Sequence, residues 1–175
     1  MGTVISALLM GAGHIIAVAR NPVRLERVKA INPDRITTVA LGRGESITGT
    51  VKRVTDGQGA SVLADLAPGG IETMMECMRN LEPGGRIALI ASNPEPLNLP
   101  LRYLMIRSLE FTSTTGRANV DVVELLDLWH RGLIDTRPIT TQYFSLSEAN
   151  EALDFIEERS ETDPLWPMYA ASSAP

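Results

Sequence analysis

Short apolar runs alternate with stripes of helical spacing through most of this chain. The pattern is anchored by Leu81 to Ser92, LEPGGRIALIAS. A helix is expected to close at Leu81-Glu82, and Pro83-Gly84-Gly85 to turn sharply, since glycine accepts positive φ. Arg86 to Ala91 then reads as a strand. It is apolar enough to be buried on both faces, as strands of helix-covered parallel sheets are. Ligands of open α/β sheets bind at such strand ends, which makes Ala91 and Ser92 candidate lining residues.

The remaining elements follow in order. Gly2 to Met10 reads as a helix stopped by Gly11-Ala12-Gly13, and His14 to Ala19 as a buried strand. Asn21 is a good N-cap, and Pro22 sits where a missing N–H costs nothing. The helix they open carries Leu25, Val28 and Ile31 on one face. Arg35 to Leu41 is a strand, Ser46 to Val54 a helix, and Ala60 to Leu66 a strand turned by Ala67-Pro68-Gly69-Gly70. Ile71, Met74, Met75 and Met78 form one helical stripe. Leu101 to Arg107 is a short helix and Glu110 to Thr115 a strand. Val122, Leu125, Leu126 and Trp129 mark a longer helix ended by Gly132. Ile139 to Phe144 is the last clear strand. Ser145 and Glu148 form a capping box for a helix that turns Ala149, Ala152, Leu153 and Ile156 inward. The tail 160–175, with three prolines, is expected to be irregular. This alternation predicts an α/β fold, a doubly wound parallel sheet with right-handed crossovers, over residues 1–159.

The 175 residues suffice for one domain with a real core. The net charge of −5 argues against a nucleic-acid footprint. No apolar run reaches the ~20 residues that span a bilayer, so no membrane partner is expected and the cytoplasm is the default location. One cysteine, Cys77, excludes an internal disulfide and a Cys-rich zinc site. It falls on an apolar helix face and reads as an inert thiol. His14 and His130 read as structural. No G-x-S-x-G elbow or Walker sequence is present, which argues against a serine hydrolase and a P-loop NTPase.

The beginning of the chain is unusual. A doubly wound dinucleotide fold opens with a strand, then G-x-G-x-x-G, then a helix; here Met1-Gly2 leads straight into the helix. Gly2 reads either as the last glycine of that fingerprint or as the start of a different α/β fold. On the first reading the first strand is missing, and in the order 3-2-1-4-5-6 it is the central one. Arg20 and Arg24 lie one helical turn apart. They form either a solvated basic face or a partner for a 2′-phosphate, which arginine pairs bidentately.

Several stretches resemble the cofactor-binding domain of medium-chain alcohol dehydrogenases and quinone reductases. They are HIIAVARNPVRLERVKAINPDRI, TDGQGASVLADLAPGG, LEPGGRIALIAS, SLEFTSTTG and GLIDTRPITTQYFSLSEANEALDFIE, and their order and spacing cover Gly2 to about Glu158. The resemblance implies a Rossmann-like fold lacking its first, central strand, and NADP as cofactor with NAD as second choice. Gly2 would match the last fingerprint glycine. Arg20 would stand where NAD enzymes usually carry an acid, and Ala67, Ser92 and Thr115 would line the cleft at successive strand ends. The family's catalytic domain normally precedes this one and carries the metal ligands, so no zinc and no catalytic residue are expected in this chain. The strand Leu109 to Thr114 would lie at a sheet edge that in this family often pairs with its twin, which makes a homodimer through residues 109–114 an expected partner arrangement.

Three functions stay open on the sequence. They are the cofactor-binding part of an NAD(P)-dependent oxidoreductase, inactive alone; a methyltransferase using S-adenosylmethionine, in which L-x-P-G-G-R-I-A-L-I is also common; and a non-catalytic association module.

Overall fold

The computed structural model describes residues 1–91, 93, 96, 98–114, 116, 118–139, 144–157 and 171–172. Seven helices and seven strands are found among them. The contacts divide the chain into two compact units, residues 1–45 with 124–175, and residues 46–123.

In the first unit, helix α1 (Gly2–Leu9) precedes strand β1 (Ile15–Ala19), helix α2 (Pro22–Ile31) and strand β2 (Ile36–Ala40). The sequence dictates α2 directly. Asn21 takes an extended backbone and its Oδ1 accepts the Arg24 N–H at 2.9 Å, while Pro22 occupies the first turn. Leu25 and Val28 are then buried as α2 packs on the two strands. β1 and β2 pair in parallel, Ile15 opposite Ile36 through Ala19 opposite Ala40. Ile36 and Val39 are almost completely buried.

The second unit begins with helix α3 (Ile47–Val54), whose first turn is capped by Ser46 Oγ accepting the Gly49 N–H at 3.0 Å. Strand β3 (Ala60–Asp65), helix α4 (Ile71–Arg79), strand β4 (Leu81–Leu89), helix α5 (Leu101–Arg107) and strand β5 (Glu110–Ser113) follow. The three strands form a parallel sheet in the order β3-β4-β5. Met78, Leu81 and Ile87 form its core, with Leu63, Met75, Leu89, Tyr103, Leu104 and Phe111 around them. The cluster draws on both α4 and α5, so both crossovers cover the same face, as equal-handed connections across neighbouring strands must.

Three expectations are corrected here. First, α4 ends at Arg79 with Asn80 as its C-cap, not at Leu81-Glu82. Leu81 instead pairs with Ala60, and Arg86 with Val62, so Glu82 to Gly85 bulge out of the ladder. Second, the strand closes at Leu89 rather than Ala91 and is covered on one face only. Arg86 is exposed, Ile87 fully buried and Ile90 exposed again. Third, the strands do not join in one sheet. β1-β2 and β3-β4-β5 are separate ladders, with a third formed by the two-residue strands β6 (Phe144–Ser145) and β7 (Ala171–Ser172).

β5 lies at a sheet edge, as the sequence suggests. Of the expected strand Ile139 to Phe144, residues 140–143 lie outside the described residues. Helix α6 (Asn119–His130) and helix α7 (Ala149–Glu157) appear where their stripes place them, but the inward face expected of α7 is corrected: Ala152 is buried while Ala149 and Leu153 are exposed. The Ser145–Glu148 box is formed in full, and opens a 3₁₀ turn (Leu146–Glu148) before α7.

Candidate functional site

In the first unit the candidate residues gather where β1 runs into α2. Arg20 is exposed directly after the strand, and Arg24 is half-buried in the helix's first turn. Between them Asn21 is buried and fixes the turn. The α2 N-terminus, with its positive dipole end, thus carries two guanidinium-bearing positions. That donor set suits a phosphate on a ribose. Gly2 opens α1, and a Cβ built on it meets nothing within 4 Å. The close approach that would demand glycine there is therefore not seen among the described residues.

In the second unit Ala67 is exposed just beyond β3. Its N–H donates to Asp65 Oδ1 at 3.3 Å, while Asp65 itself is buried. The Asp65 carbonyl accepts the N–H groups of both Ile90 and Ala91 at 3.0 Å. Asn93 Oδ1 accepts the Gly69 N–H at 3.2 Å. The ends of β3 and β4 are thereby laced into one ledge, at the C-terminal side where open α/β sheets bind ligands. Ser92 and Thr115 lie outside the described residues. The sequence reading passed over Asp65 and Asn93. The available signal for Asp65 was an acid closing an otherwise apolar strand and followed by a Pro-Gly-Gly turn, a place where Asx side chains organise the backbone.

The chemistry-bearing side chains are placed elsewhere. His14 Nε2 lies 2.8 Å from Thr37 Oγ1 at the surface, and His130 ends α6. Burial, with Glu76 and Asp65 adding to it, pushes the Cys77 thiol up to about 11, which makes it a neutral thiol rather than a thiolate ligand. Among the described residues no group of three metal-ligating side chains assembles. No described helix is long and apolar enough to cross a membrane.

A strand-helix-strand unit with a basic helix start, and a parallel sheet laced at its C-terminal ends, define a dinucleotide-type α/β fold. The model of the zinc-binding dehydrogenase family matches residues 1–131, and the chain belongs to that family. Within it, the chain corresponds to the C-terminal, cofactor-binding Rossmann domain of the medium-chain alcohol dehydrogenases. Among relatives, sorbitol dehydrogenase of Bacillus subtilis is 24% identical over 154 residues, covering 86% of this chain and 42% of the relative. An L-threonine 3-dehydrogenase of Vibrio parahaemolyticus is 22% identical over 151 residues, covering 83% and 41%. Among solved structures, the alcohol dehydrogenase TADH from Thermus sp. ATN1 superposes with a TM-score of 0.77 at 25% identity, over 97% of this chain and 48% of that one. A short chain alcohol dehydrogenase of E. coli CFT073, complexed with cofactor NADH, gives 0.78 at 18% identity, over 95% and 47%. The chain thus spans less than half the length of these relatives. The family match selects the dehydrogenase reading over the methyltransferase one.

Proposed function

We propose that this chain is the cofactor-binding part of an NAD(P)-dependent, alcohol dehydrogenase-like oxidoreductase, and that it prefers NADPH to NADH. The observation that carries the preference is Arg20 directly after β1 with Arg24 in the first turn of α2. Two arginines at this corner favour a 2′-phosphate, where an acid would instead bind the ribose hydroxyls. Ala67, Ser92 and Thr115 are assigned to the nicotinamide side of the cleft, with Asp65 and Asn93 holding the backbone there. Gly2 is assigned to the pyrophosphate side.

The bound nicotinamide supplies the hydride chemistry. Turnover also needs a substrate held against the ring and a group that takes the hydroxyl proton. His14 is bonded to Thr37, His130 ends α6 and Cys77 is a neutral thiol, which supports the reading that none of them fills either role. The 175-residue chain therefore binds cofactor without oxidising alcohols. Titrations with NADPH, NADH and S-adenosylmethionine, beside an alcohol-oxidation assay on metal-analysed protein, test this. Binding of a nicotinamide dinucleotide without turnover is expected. Binding of S-adenosylmethionine alone, or robust alcohol oxidation, would overturn it.

A further inference from the structure

The β1-β2 ladder ends with an arginine on the exit of each strand. Leu41 N donates to Ala19 O at 2.9 Å as the last rung, so the chain leaves β1 at Arg20 and β2 at Leu41 side by side. The exit of β2 then folds back. Arg43 N donates to Ala40 O at 3.4 Å, and Gly42 has φ +78°, the positive value that a type II turn needs at its third position. Glu45 Oε2 accepts the Ala40 N–H at 2.7 Å and closes the loop onto the strand. Arg43 is therefore mounted on a hydrogen-bonded turn. Register bounds its distance from Arg20, since Ala19 opposes Ala40. Neighbouring strands lie about 4.8 Å apart and the ends of a turn within about 7 Å, so the two arginine Cα atoms are at most about 16 Å apart. Two extended arginine side chains span that gap with a phosphate between them.

Both guanidinium groups are uncommitted. Arg20 and Arg43 are exposed, and among the described residues neither side chain makes a hydrogen bond or an ion pair. Glu45 is the one acid in residues 41–45, and its Oε2 is taken up by the backbone.

We infer that Arg43 is a second specificity-determining arm for the 2′-phosphate, reaching it from the β2 side while Arg20 holds it from the β1 side. This rests on the NADPH preference proposed above and adds to it a residue from a different element. A ribose 2′-phosphate has three terminal oxygens and a charge of about −1.5 to −2 at neutral pH. One arginine fork takes two of those oxygens, which leaves an acceptor and unneutralised charge for a second cation. The turn at Ala40 to Arg43 lowers the ordering cost of supplying it. Arg20 and Arg43 both belong to the unit of residues 1–45 with 124–175, so the arrangement is complete within one compact unit.

The test is calorimetric titration of the 175-residue chain with adenosine 2′,5′-bisphosphate and with 5′-AMP, which differ only in the 2′-phosphate, beside NADPH and NADH. The wild type should prefer the bisphosphate by about tenfold or more. Arg43→Ala is expected to lose about tenfold in affinity for the bisphosphate and for NADPH, while 5′-AMP and NADH change by less than about twofold. Arg20→Ala behaves alike. The double variant loses clearly less than the product of the two single losses, because both arms act on one phosphate. Lys29→Ala removes an equal charge in the last turn of α2 and should alter neither preference. The Arg43→Ala loss persists at about 0.5 M salt, where screening acts over about 4 Å, as a direct contact requires. A wild type that prefers the bisphosphate and NADPH, matched by Arg43→Ala, overturns this inference and leaves the NADPH reading standing. A wild type without the bisphosphate preference overturns both. Single losses that multiply in full, or a loss abolished by salt, also refute a shared phosphate contact. Should Arg43→Ala lose its circular dichroism signature, Arg43→Gln, which keeps the stem without the charge, takes its place with the same expectation.

Discussion

Replacing Gly59 by alanine probes how the second unit's sheet is built. Gly59 has φ +101°, and a Cβ there would lie 2.6 Å from Glu82 N, 2.8 Å from Leu81 C and 2.9 Å from Asn80 O. All three are backbone atoms at the start of the β4 bulge, so no side-chain rotation relieves the clash. The backbone conformation alone costs an L-residue about 1–2 kcal/mol. Relieving the clash also strains hydrogen bonds at 3.0 Å, Ala60 N to Asn80 O where residues 80–82 move and Gly59 N to Thr55 Oγ1 where residue 59 moves. Each contributes about 0.5–1.5 kcal/mol net. The expected loss is about 3 kcal/mol, or roughly 6–12 °C in Tm for a chain of this length. Gly84→Ala is the control. Its φ is +79°, but its Cβ meets nothing within 4 Å, so only the conformational cost of about 1–2 kcal/mol applies. Urea unfolding followed by circular dichroism measures both variants. If they fall within about 0.5 kcal/mol of each other, the close approach of residue 59 to the bulge is refuted.

Further outcomes follow from single side chains. Asn21→Ala removes the cap of α2 and is expected to cost about 1–2 kcal/mol in the same unfolding assay, while Asn21→Asp retains most of it. The Cys77 thiol is raised from 9.0 to about 11. It should resist thiol reagents at pH 8 and react only in denaturant or strongly alkaline solution. Because the folded state disfavours its thiolate, this group's contribution is fully present below pH 9 and lost as pH rises towards about 11. Cys77→Ser should flatten that alkaline slope. The Glu148 carboxyl is held below its usual range by the Ser145 backbone N–H and hydroxyl. Its contribution is therefore present above pH 4.5 and lost as acid protonates it. Comparing Ser145→Ala with wild type by acid titration of helicity checks this, and identical acid transitions would refute it.

Local chemistry made much of the fold legible. Asn21-Pro22, Ser46 and the Ser145–Glu148 box each announce a helix start, because capping depends on neighbours within one turn. The parallel strands were readable from β-branched and aliphatic runs between those helices. The bulge at Glu82 to Gly85 was not, since it depends on Ala60, twenty residues away, pairing with Leu81. Burial failed for a similar reason. The Arg86 to Ala91 run looks double-sided, yet α4 and α5 must share one face because their crossovers have the same hand. The α6 stripe marked a helix, which is found, but the stripe itself is exposed, because helical spacing does not say what a face packs against. Of the candidate site, the spacing of Arg20 and Arg24 at the start of α2 was visible in the sequence, because it is local to one helical turn. Asp65 was hidden inside a strand, and its bonds to Ala67, Ile90 and Ala91 are properties of the folded ledge.

The most direct measurement of the central claim is a fluorescence titration of NADPH and NADH against wild type and Arg20→Ala. A guanidinium–phosphate contact contributes about 1.5–3 kcal/mol. The wild type should therefore prefer NADPH by roughly tenfold or more, and the variant should lose that preference while its NADH affinity changes little. An unchanged NADPH/NADH ratio in Arg20→Ala would contradict the assignment of Arg20, and absence of binding by either nucleotide at millimolar concentration would contradict a cofactor-binding role for the chain.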